Sequence, residues 1–250
     1  MKTLSKLALV LGFIFGVEAA AQGIEPLPRD LEMELAASAL PPHLRENATL
    51  YVLDPGKGFT VARKGANGFH ALVARTGDDM FRGPWPLSMY RDDILYPVGF
   101  DSAGAKEQMR VIFDAAQMQA KGMPPQELKK TIQGRFKSGH YKAPERVGIA
   151  YMLAPIMRTY DDPETSDKVS TASHPHTMIY APGVSQKDIG GGELGGTYPH
   201  IIMPGPHGMI IQAMGEAEQA AIRNEYAALL KRLCETKDLW CLPDPQGHPE

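Results

Sequence analysis

Cysteine is nearly absent from this chain: Cys234 and Cys241 are the only two. That scarcity excludes a C-x-x-C redox pair, a thiolate zinc site and a disulfide-dense miniprotein. There is no G-x-S-x-G elbow and no H-E-x-x-H helix, so the common signatures of serine hydrolases and zinc proteases are missing. No block of Lys or Arg stands out and the formal charge is −3, which argues against a basic footprint for nucleic acid or an anionic membrane. No internal repeat is present. Beyond residue 21, no apolar run approaches the roughly 20 residues that a membrane-spanning helix needs.

What is present begins with a leader. Lys2 and Lys6 form a positive n-region, Leu7 to Val17 an apolar core, and Ala19-Ala20-Ala21 an A-x-A cleavage pattern. The expectation is cleavage after Ala21, a mature chain of residues 22–250 forming one domain with a C-terminal tail, and export to a periplasm or the outside. In an oxidising compartment Cys234 and Cys241 are expected to join in a disulfide that pins Trp240 and the tail to the last helix. The 25 glycines and 21 prolines are scattered, which indicates a loop-rich globular protein.

The periodicities predict an α+β fold. Leu31–Leu40 reads as a helix stopped by Pro41-Pro42. Thr49–Asp54, Phe59–Arg63 and Phe69–Arg75 read as three strands in an antiparallel meander, the last introduced by Asn67-Gly68. Thr76–Phe100 shows no pattern. A helical period then starts at Ala103, with Met109, Ile112, Phe113 and Ala116 on one stripe, and stops at Gly122; Pro124-Pro125 opens a second helix. Gly148–Pro155 is a buried strand, Tyr160–Ser173 a polar loop, and Glu216–Cys234 the longest helix. Together these give a mainly antiparallel sheet with a helical pair inserted and a C-terminal helix packed on one face.

The stretch from Ser173 to Gln212 concentrates the chemistry. It holds four of the eight histidines: His174, His176, His200 and His207. Side chains alternate along a strand, so His174, His176, Met178 and Tyr180 share one face; His207, Met209 and Ile211 share a face of the next segment. If those faces meet, imidazole and thioether groups gather, a donor set that suits copper or zinc. The metal ligands expected on this reading are His174, His176, His207 and Met178. His176 and His207, with Tyr180 or Asp188 assisting, are the candidates for acid/base catalysis. The glycine-rich Gly190–Thr197 lacks the Lys-Ser/Thr of a phosphate loop and reads as a flexible connection or lid. His70 lies within a strand and could face the core or the cluster.

Asn67-Gly68-Phe69, GIAYMLAP at 148–155, PHTMIYAP at 175–182, Asp188-Ile189-Gly190 and PGPHG at 204–208 resemble a family of exported bacterial proteins with no assigned activity. The resemblance runs from about Leu50 to Ile211. His176 and His207 lie inside its motifs; His174 and His200 do not, which implies a site smaller than four histidines. Similar proteins carry cysteines where this chain has Ala71 and Gly99, so the resemblance implies the loss of a bridge here. Three readings of function follow: an exported protein binding a transition metal or small ligand, an exported hydrolase with a histidine acid/base, and a structural or interaction protein without chemistry.

Overall fold

The computed structural model describes residues 24–76, 88–161, 166–191 and 198–243, without the side chain of Met203. Residues 1–21, read above as a leader, and most of the glycine-rich connection lie outside the described residues. The sequence expectation of an α+β fold with a mainly antiparallel sheet holds.

Helix α1 (Arg29–Ser38) carries Asp30 in its first turn, where negative charge complements the helix dipole. Leu31 and Leu35, one turn apart, are both buried, each contributing roughly 1.5–3 kcal/mol of transfer free energy. Pro41 and Pro42 stop the helix, and Pro42 opens the single turn α2 (Pro42–Arg45). Next come β1 (Thr49–Asp54), β2 (Gly58–Arg63), β3 (His70–Ala74) and β4 (Tyr96–Phe100). Asp101 caps α3 (Ser102–Glu107) by accepting the Gly104 N–H at 2.8 Å. Helices α4 (Met109–Ala120) and α5 (Pro125–Lys137) follow as the inserted pair. Then come β5 (Ile149–Met152), β6 (Met157–Tyr160), β7 (Val169–Ala172), β8 (His176–Tyr180), β9 (His200–Met203) and β10 (Met209–Ala213).

The expected single C-terminal helix is two: α6 (Glu216–Glu225) and α7 (Ala227–Thr236), broken at Tyr226. The two segments face different surroundings. α6 buries none of its residues, whereas α7 buries Leu229 and Leu233. The tail closes back through a disulfide between Cys234 and Cys241, as expected. It seats Trp240 in the interior, where the indole N–H donates to the Asp93 carbonyl at 2.8 Å.

Eight strands form one sheet in the order β2-β1-β3-β4-β5-β8-β10-β9, and β6 and β7 form a separate ribbon. Every pairing in the large sheet is antiparallel except β1 with β3. That exception corrects the expected meander: β3 lies beside β1, not beside β2. The cause is the loop between β2 and β3. Ala66 and Asn67 donate backbone N–H groups to the Asn47 carbonyl, Gly65 donates to the Thr49 hydroxyl, and the Asn67 amide donates to Leu44. The loop is thereby strapped across the start of β1 and delivers β3 on its other side. A side chain at residue 65 would collide with the backbone of Asn47, Ala48 and Thr49, so only glycine permits that crossing. β4, β6, β7 and β9 arise where the sequence shows no strand pattern; they are short and draw support from their neighbours.

The sheet has a core on each face. Leu72, Val98, Phe100, Ala150, Met178 and Met209 pack with α4 and α5 on one side. Leu50, Ala71, Val73 and Ile156 pack with α1 and α7 on the other. The candidate site belongs to the first face, in the half of the sheet built from β5, β8, β10 and β9.

Candidate functional site

β8 runs between β5 and β10, and its alternation is as the sequence predicts. His176, Met178 and Tyr180 are buried while Ile179 points outward. Register then places each residue. His176 lies between Met152 of β5 and Ala213 of β10; Met178 lies between Ala150 and Ile211; Tyr180 is opposite Met209. His207 precedes Met209 by two residues, beyond the Tyr180 end of the ladder. His176 and His207 therefore lie at opposite ends of the β8–β10 ladder, whose four-residue span from His176 to Tyr180 alone is roughly 13 Å at ~3.3 Å per residue. This corrects the expected pairing: the two imidazoles share no ligand. His207 instead packs against α5, its ring edge-on to Phe136 with centroids 5.2 Å apart. Burial lowers its pKa.

The place expected for His207 falls to His200. β9 runs antiparallel to β10 with His200 opposite Ile211, which carries that imidazole towards the His176 end. His174, just before β8, completes the group, with ring centroids of His174 and His176 5.3 Å apart. Both buried histidines are oriented in the same way. His176 directs Nδ1 at the His174 carbonyl, 2.7 Å away, and His200 directs Nδ1 at the Tyr198 carbonyl, 3.1 Å away. A carbonyl can only accept, so in the neutral ring each Nδ1 carries the proton and each Nε2 keeps its lone pair. This is the tautomer a metal-ligating histidine needs, fixed by its outer hydrogen bond.

The electrostatics favour the neutral form. Burial is the main cause that holds the His176 pKa down at about 4; the His174 carbonyl opposes it, and the rings of His174 and His200 add to it. His174 is lowered by burial and by His200. All three rings thus lie close enough for the charge of one to be felt by another. Among the described residues, no three His, Cys, Asp or Glu side chains are arranged to hold one metal ion, so a closed cage of such ligands is not formed. What the fold offers is a pair of neighbouring imidazoles, a third nearby, and the buried thioether of Met152 directly across the ladder from His176.

The remaining candidates are engaged elsewhere. Met178 is core, enclosed between Ala150 and Ile211. Tyr180 donates to the Ile149 carbonyl at 3.3 Å, and burial, with Asp101 next, raises its pKa. Four positions from His176, it stands roughly 13 Å away along the strand. Asp188 is exposed and closes a turn, accepting the Ser185 N–H at 2.9 Å and its hydroxyl at 2.7 Å. His70 is hydrogen-bonded to Tyr51 at 3.0 Å, at the other half of the sheet.

Met152 is the residue that sequence reasoning misses. Its strand is legible in GIAYMLAP, but nothing local says that it pairs with His176. No protein-family model matches the chain, and no curated protein or solved structure is significantly similar to it.

Proposed function

We propose that this chain is an exported binding protein that captures a soft transition-metal ion, Cu(I), at the end of the sheet formed by His174, His176 and His200. One observation carries the reading: His176 and His200 are both buried, both anchored through Nδ1 to a backbone carbonyl, and both near His174. The neutral imidazole of His176, with its Nε2 lone pair free of the carbonyl, needs no deprotonation before it binds a metal. Among the described residues no three His, Cys, Asp or Glu side chains are grouped for one ion, whereas zinc takes four ligands in its structural sites. Cu(I) accepts few ligands and favours the thioether that Met152 offers beside His176.

The reading is tested by titrating the folded protein anaerobically with Cu(I) against a chromophoric chelator, and separately with Zn(II). One Cu(I) is expected to bind, with affinity lost in His176→Leu and His174→Ala and kept in His207→Ala. Equal affinity in His176→Leu, or no binding in the parent chain, overturns the reading.

Export is the second part of the proposal. It rests on the leader of residues 1–21 and is supported by a disulfide of a kind that oxidising compartments preserve. N-terminal sequencing of the exported protein is expected to begin at Gln22, and a mature chain that retains Met1 overturns it.

A further inference from the structure

A second site is built where the two ends of the described chain meet. A cavity of about 390 Å³ opens between Glu25, Pro26, Leu27 and Pro28 on one side and Lys237 and Trp240 on the other. That volume lies in the lower part of the range of small-molecule pockets. The disulfide from Cys234 to Cys241 brackets the second wall and ties it to α7.

The indole of Trp240 is contacted by two cations. The Lys237 ammonium is 5.3 Å and the Arg75 guanidinium 5.7 Å from the ring centroid. Arg75 is only 2 % exposed and reaches the cavity through its contact with the indole, not as a lining residue. Its Nη2 donates to the Asp92 carbonyl, but among the described residues Nε and Nη1 have no hydrogen-bond partner. Of the four carboxylates whose charge reaches it, Glu25 lies on the cavity wall and the other three are committed elsewhere. Asp93 takes Arg91 and Arg158, Asp92 takes Lys237, and Glu32 accepts the Leu53 N–H. A buried guanidinium without a directly bonded carboxylate is costly, and an anion brought close to it recovers part of that cost.

We infer that this cavity binds a small monocarboxylate with an apolar body. The carboxylate takes the free N–H groups of Lys237, whose ammonium has three and spends one on Asp92, and the charge of Arg75, close to the same indole, adds attraction. Leu27 and the two prolines receive the hydrocarbon part. Glu25, on the opposite wall, repels a second carboxylate and so selects against dicarboxylates.

The test is calorimetric titration of the full exported chain with isovalerate, with its neutral isostere isovaleramide and with succinate. Isovalerate is expected to bind and the other two are not. Lys237→Met is expected to weaken isovalerate roughly ten- to hundredfold, the worth of a charge-assisted hydrogen bond. Glu25→Gln is expected to admit succinate. Lys237 and Glu25 lie on the cavity wall and are not part of the core, so both variants should keep the parent circular dichroism spectrum. Isovaleramide binding as tightly as isovalerate, an unchanged affinity in Lys237→Met, or no heat from isovalerate with the parent chain overturns the inference.

Discussion

The hydroxyl of Tyr180 occupies the space that a side chain on Gly104 would need. The ring of the same tyrosine meets the position of a Cβ on Gly148, so one aromatic side chain of β8 is seated between two glycines. Any added methyl at Gly104 must displace a fully buried ring. Gly104→Ala is expected to destabilise the fold by about 1–3 kcal/mol, the usual cost of overpacking. Tyr180→Phe in that background should restore part of the loss, because it removes the colliding atom. Urea denaturation of the two single variants and the double variant checks this; strictly additive losses would show that the two residues are not coupled.

Two buried groups set opposite pH dependences. The His176 pKa is down at about 4, so between the ordinary 6.5 and about 4 the unfolded chain takes up a proton that the folded chain refuses. Stability from this group is full above 6.5 and is lost as the pH falls. Burial raises the Glu32 pKa from 4.5 to about 7, so between those values the folded chain keeps a proton that the unfolded chain releases. Stability from Glu32 is full below 4.5 and is lost as the pH rises. Each swing amounts to about 3 kcal/mol, and in the overlapping window they offset each other. His176→Gln should make stability fall with rising pH, and Glu32→Gln should make it rise. Thermal melts from pH 4 to 7 distinguish the two slopes, and matching slopes in both variants would refute the assignment.

Asp93 gathers two arginines in the interior. Arg158 donates Nε and Nη2 to Oδ2 at 3.1 and 2.8 Å, and Arg91 donates to both oxygens at 2.9 and 2.7 Å. Burial alone would raise its pKa, but the hydrogen bonds and charges of Arg91 and Arg158 prevail and hold it below the ordinary range. Asp93→Asn leaves the buried Arg158 without its anion and is expected to cost about 3–5 kcal/mol. Asp92→Asn, at a half-exposed pair with Lys237, should cost no more than about 1 kcal/mol. Equal losses in chemical denaturation would contradict this ranking.

Ala71 and Gly99 are direct partners across β3 and β4. A Cβ on Gly99 would run into the Leu40 side chain. Replacing both partners with cysteine should therefore give little disulfide while Leu40 is intact, and ready oxidation once Leu40→Ala is added. Mass spectrometry without reductant reads the bridge; complete bridging with Leu40 in place would show that the crowding is immaterial.

Residue order alone settles which side chains turn inward on β8, where α5 begins, and which cysteines pair. All three follow from local rules: alternation along an extended backbone, the missing N–H of proline, and the presence of only two thiols. The tertiary structure alone decided which end of the ladder each histidine occupies. His200 and His207 are equally plausible partners for His176 along the chain, yet the antiparallel turn from β9 to β10 brings the first near and leaves the second beyond the far end of the ladder. The choice of Met152 over Met178 as the thioether beside His176 has the same origin. Alternation says only that a side chain faces inward; register with a strand more than twenty residues distant in the chain says what it meets there. The position of β3 also escaped local pattern, because Gly65 and Asn67 tie their loop to Asn47, Thr49 and Leu44, contacts that exist only once the chain has folded.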